Sequence, residues 1–242
     1  MKKRIFTVFI ILLFTCMMFN SSADAVYTND IDIKADNINF IINESYTGDN
    51  ALNIRKGLDI NNDSSINSSE VDKFKENYTE SRKTEYPEYI SIDDGNVSIE
   101  MESLDMEFEN AVGTINKEEL RVMTEIKFTI PSEISEGYHK IWIQGHPSIK
   151  NMEITLPEDV NLNTIDGLDN IKNSTENGRT VVEGKSITQR SNVGNTTQFG
   201  YATSLNIYKK PFYEKMSFII SLFVLLLVLI ASASYMIQRN RE

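Results

Sequence analysis

Cysteine is nearly missing from this 242-residue chain. The single one, Cys16, lies in an apolar run near the N-terminus. The rest therefore has no thiol for a disulfide framework or a thiolate metal site. Histidine is almost as scarce. His139 and His146 lie on one predicted strand and its turn, with no acidic cluster beside them. A zinc site is not expected, and both histidines are read as surface residues. Tryptophan occurs once, and Trp142 is expected in the core rather than as a sugar platform. Positive charge is in deficit, with 24 Lys and Arg against 35 Asp and Glu, a net charge of -11 and a pI near 4.8. That balance disfavours nucleic acid and anionic headgroups as partners. No glycine-rich phosphate loop, serine elbow or Cys–His pair is present, so no enzyme is expected.

Two long apolar runs are present. Basic residues 1–4, the apolar stretch 5–19 and the small-x-small triplet Ala23-Asp24-Ala25 read as a signal peptide over residues 1–25. The mature chain then begins at Val26; the competing reading is an uncleaved anchor. Residues 216–237 carry no charge and are long enough to cross a bilayer. The expected layout is an extracytoplasmic domain over residues 26–208, a juxtamembrane link over 209–215, a transmembrane helix over 216–237 and a cytoplasmic tail over 238–242. The protein would sit in the cell membrane as a single-pass protein.

Between the apolar runs the dominant period is two. Leu120, Val122, Ile126, Phe128 and Ile130 alternate with polar residues, and similar runs surround Phe40, Trp142, Ile154 and Leu205. Val97, Ile99 and Met101 share one phase, and Leu104, Met106 and Phe108 take the other, so a bulge or turn is expected near Glu102-Ser103. Residues 44–48 read as a turn, and residues 161–178 as polar and turn-rich. Short strands with regular turns predict a mainly β fold, an antiparallel β-sandwich.

One stretch interrupts this pattern. Residues 49–58 and 70–78 place Ala51, Ile54 and Leu58, then Val71, Phe74 and Tyr78, at helical spacing, with Asp49 as the expected N-cap. Between the helices, oxygen-bearing side chains stand at Asp59, Asn61, Asp63, Asn67 and Glu70, with apolar Ile66 in the eighth position of the loop. A hard cation such as Ca2+ takes six to eight oxygens, and this loop can offer side chains from those five residues and the backbone carbonyl of Ser65. The segment resembles an EF-hand calcium-binding module over residues 49–78, and residues 59–75 also resemble a dockerin repeat. The resemblance implies metal ligands Asp59, Asn61, Asp63, Ser65, Asn67 and Glu70, in an EF-hand-like insertion over residues 49–82. Ser64 stands where such loops carry Gly, so affinity on the order of 10⁻⁴–10⁻³ M is expected. The bland alternative is a polar turn between two helices. Asn62 and Asn67 also open glycosylation sequons, and Asn67 is expected to be unmodified when metal is bound.

The expected function is a membrane-anchored cell-surface protein that binds calcium, with a structural or partner-binding role. One alternative is an accessory subunit of a membrane transport or secretion complex, in which small residues Ala231 to Ser234 help the span pack against a membrane-protein partner. Another is an extracytoplasmic hydrolase using paired carboxylates.

Overall fold

A computed structural model of the protein describes residues 25–117, 119–193 and 196–239. Most of the predicted signal segment and the last three residues of the tail lie outside them. The described chain is mainly β and carries three α-helices.

The first sheet has seven strands in the order β11-β12-β9-β1-β2-β7-β5. In chain order these are β1 (Ala25–Ile33), β2 (Asn37–Thr47), β5 (Glu100–Glu109), β7 (Glu119–Thr129), β9 (Ile149–Thr155), β11 (Leu168–Glu176) and β12 (Arg179–Ser186). The second sheet contains β4 (Ile90–Ile92), β8 (Gly137–Gln144), β10 (Val160–Asp166) and β14 (Thr196–Lys209) in the order β10-β14-β8-β4. Its fifth strand, β13 (Thr188–Val193), forms a hairpin with the start of β14. All pairs in these two sheets are antiparallel except β1 with β9, which is parallel, so the first sheet is mixed rather than purely antiparallel.

Alternation explains how the two sheets meet. Along β7, Leu120, Val122, Thr124, Ile126 and Phe128 are buried while Arg121 and Lys127 are exposed. Ile31, Phe40, Ile126 and Phe128 from the first sheet join Ile92, Ile141, Ile143, Leu205 and Ile207 from the second in one core. Each such side chain contributes about 1.5–3 kcal/mol by leaving water. The phase change in β5 is a bulge, with the register against β7 shifting between Met101 and Ser103.

Three sequence expectations fail for local reasons. Residues 44–48 are not a turn. Strand β2 runs on to Thr47 because all eleven of its residues pair with β7. Helix α1 (Gly48–Leu58) then follows directly, with Thr47 at its N-cap and Asp49 in its first turn. Residues 161–178 are not a turn-rich loop but β10 and β11. In β11 every residue after Leu168 is exposed, so an edge strand held by backbone bonds to β12 leaves no apolar alternation to read. Gly167 joins these strands across the two sheets. Its φ is +87°, and a Cβ there would lie 1.8 Å from the carbonyl oxygen of Ala202.

The C-terminal helix, α3 (Met216–Arg239), is apolar enough over Met216–Ala233 to cross a membrane, and none of that window is buried. The link before it is tied to the β body. Lys210 N–H donates to the carbonyl of Asp159 (2.9 Å), Phe212 N–H donates to Glu136 (2.9 Å), and Lys215 pairs with Asp159 (2.9 Å).

Candidate functional site

The polar loop lies between α1 and α2 (Ser68–Arg82), on the flank of β2, β5 and β7. Ala51, Leu58, Ile66 and Val71 pack with Tyr46, Met106, Ala111, Leu120 and Val122 in a second, smaller core. The two helix faces read from the sequence thus pack against the sheet.

Within the loop, backbone amides converge on carboxylates. The amides of Asp63 and Ser64 donate to the two oxygens of Asp59 (3.1 and 2.9 Å). Asp63 N–H also donates to Asn61 Oδ1 (2.8 Å), and Ser65 N–H donates to Asp63 Oδ1 (2.8 Å). Ile60 and Asn61 donate their amides to Glu70 Oε1 (3.1 and 3.2 Å). The backbone and side-chain amides of Asn67 donate to Glu70 Oε2 (3.0 and 2.8 Å). In return Asn67 Oδ1 accepts from Glu70 N–H (3.1 Å), which completes a capping box at the start of α2. Asp59 and Glu70 are buried, whereas Asn61, Asp63, Ser65 and Asn67 are exposed.

The backbone meets the steric demand posed by Ser64. Its φ is +67°, the left-handed conformation for which glycine is usual. Two amide bonds to Asp59 and Asp63 flank it and hold the turn.

The donor set fits a hard cation in kind, since every expected position carries oxygen. Its arrangement is that of a capped loop. Glu70 accepts four hydrogen bonds from protein donors, which is the full complement of an ionised carboxylate. Among the described residues no group of three or more Asp, Glu, His or Cys is gathered as a metal cluster.

The loop has a structural partner that the sequence did not reveal. Ser65–Ile66 forms a two-residue strand, β3, paired antiparallel with β6 (Gly113–Thr114) in the connection between β5 and β7. Ile115 N–H donates to the carbonyl of Ser64 (3.3 Å). Arg55 pins the same connection from beneath. It is fully buried, and its guanidinium donates to the carbonyls of Asn110 (2.6 Å), Ala111 (2.8 Å) and Glu119 (2.7 Å). An arginine inside an otherwise apolar helix face is the one signal that pointed to such a role.

Two other expectations need correction. His139 is buried rather than at the surface. Its Nδ1 meets Asp93 Oδ2 at 2.7 Å and its Nε2 meets the carbonyl of Ser135 at 2.8 Å. The Ser135 hydroxyl is farther from that nitrogen, at 3.4 Å, so the carbonyl is the nearer of the two Ser135 partners. Trp142 is not in the core either. Ile141 and Ile143 on either side of it are fully buried, so alternation turns the indole to the outer face of the second sheet. His146, in contrast, is exposed at the turn after β8 and stacks on Tyr27 at 5.1 Å. No protein-family model matches this sequence, and no curated protein matches it.

Proposed function

We propose that this chain is a membrane-tethered, extracytoplasmic β-sandwich whose helix–loop–helix insertion is an EF-hand-like calcium module. Asp59, Asn61, Asp63, Asn67 and Glu70 would hold the ion through side chains, and Ser65 through its carbonyl. The observation that carries the reading is the backbone at Ser64, which takes the left-handed turn without the usual glycine. The β3–β6 pairing also supports it, because it gives a lone loop the backbone partner that a second loop would otherwise supply. Calcium would supply charge neutralisation among Asp59, Asp63 and Glu70. The chain's own residues set the cost: Glu70 has to exchange amide donors of the capping box for the ion. That exchange fits weak binding, about 10⁻⁴–10⁻³ M. At ten times its dissociation constant, calcium would stabilise the fold by about 1.4 kcal/mol. The role is then structural, bracing the β5–β7 connection and presenting a surface to a partner. The test is thermal unfolding of the full chain in detergent with and without calcium. A rise in melting temperature that is absent in Glu70→Gln supports the reading, and equal melts contradict it.

A second reading, an accessory subunit of a membrane assembly, draws on the tied linker. Bonds from Lys210, Phe212 and Lys215 to the β body fix the start of α3, as suits a docking helix. Crosslinking in native membranes separates the two. A stoichiometric membrane-protein partner favours the subunit, and its absence favours the solitary surface protein.

A further inference from the structure

We propose that the outer face of the second sheet is a binding groove for a neutral oligosaccharide, with Trp142 as its stacking surface. Strand register builds the groove. Asp166 on β10 lies opposite Ser204 on β14, Ser204 lies opposite Trp142 on β8, and Trp142 lies opposite Ser91 on β4. The only tryptophan of the chain therefore sits in a transverse row with a serine on each side. Serine is too short to cover an indole face, so the ring remains half-buried at the floor of the groove. A parallel row carries Thr164, Asn206 and Lys140. Gln189 from the β13 side and the Asp94–Gly95 turn on the β4 side also line the groove, whose volume is about 690 Å³.

The chemistry of the lining selects the ligand. A pyranose offers a flat C–H face and a rim of hydroxyls. An aromatic plane receives the first, and amides and carboxylates receive the second. Asn206 donates its amide N–H to Thr164 Oγ1 (2.7 Å), which orients its carbonyl oxygen as an acceptor. Asp166 uses one oxygen on the amide of Gly167 (2.8 Å), leaving the other for a hydroxyl donor. The one cation of the lining, Lys140, is bonded to Asp94 (2.9 Å). With two carboxylates in the lining and a net charge of -11 on the chain, polyanionic glycans are repelled.

Because Trp142 is the single tryptophan, its fluorescence reports occupancy directly. The experiment titrates the full chain, in a detergent without sugar headgroups, with cellohexaose, with the hexasaccharide of N-acetylglucosamine and with hexagalacturonate. The expected result is a saturable change of emission with at least one neutral hexasaccharide and none with hexagalacturonate. Asn206→Ala and Gln189→Ala keep the reporter and should weaken binding several-fold at an unchanged melting temperature. Trp142→Ala, followed by calorimetry, should weaken it about tenfold. The proposal is overturned if neither neutral sugar changes the emission at millimolar concentration. It is also overturned if hexagalacturonate binds more tightly, or if all three variants bind like the parent.

Discussion

Between the two sheets, Phe40, Ile126, Phe128, Ile141 and Leu205 are packed by apolar neighbours, and shape and burial hold them in place. Beneath α1 the smaller core is bordered by three buried charged residues, Arg55, Asp59 and Glu70. There the order is directional: one guanidinium spans three carbonyls, and two carboxylates gather six N–H donors. Apolar packing is indifferent to ions and mild pH change. An array of hydrogen bonds to buried charge depends on every partner, because each lost one leaves a polar group dehydrated. The two-sheet core is therefore held by apolar burial, and the helix–loop–helix is the part whose order rests on individual polar contacts.

The sharpest way to break this contrast is to weaken each core separately. Phe128→Ala should cost about 3–5 kcal/mol in denaturant unfolding and lower the stability of both regions together. Arg55→Met should cost about 2–4 kcal/mol, since three carbonyls lose their donor. Its effect should be local in hydrogen exchange: protection falls at residues 59–70 and 110–117, while β8 and β14 keep theirs. If Arg55→Met loosens the sheets equally, the two cores are one unit and the contrast fails.

A smaller effect arises at the seam, where Tyr27 and Tyr78 pack against both cores. Burial pushes the Glu44 carboxyl up to about 7, and its hydrogen bond with Tyr46 and the charge of Arg82 offset this only in part. The folded state thus binds a proton that the unfolded chain releases near pH 4.5. This contribution is fully present below about pH 4.5 and is lost as the pH rises through 7. Burial and neighbouring carboxylates raise Asp30 and Glu153 as well, which adds in the same direction. Unfolding between pH 4.5 and 8 should show a fall of about 1–3 kcal/mol from Glu44, and Glu44→Gln should flatten the curve. The smallest effect belongs to Ser64→Gly. Relief of the positive φ should add about 1 kcal/mol to folding stability, read by denaturant unfolding, and leave calcium affinity unchanged, because the loop already holds that φ without the ion.

The frame was legible where burial is one-sided. The alternation of β7, the bulge in β5 and the apolar length of α3 all follow from periodicity. Strand β11 was illegible because an edge strand exposed on both faces carries no alternation. The loop was legible as a donor pattern from Asp59 to Glu70. Its pairing with Gly113–Thr114 was not, because it depends on two short segments far apart in the chain. Trp142 was misread because an aromatic residue in an apolar strand suggests core, and only register shows which face it takes.

The calcium site proposed for the loop between α1 and α2 rests on Asp59, Asn61, Asp63, Ser65, Asn67 and Glu70 as ligands. Calorimetric titration of the full chain with calcium tests it most directly, alongside Glu70→Gln and the exposed-ligand variant Asp63→Ala. The expected result is one ion per chain, a dissociation constant of about 10⁻⁴–10⁻³ M, and loss of binding in both variants with the β fold unchanged. Absence of heat at several times that concentration, or equal binding in parent and variants, would contradict it.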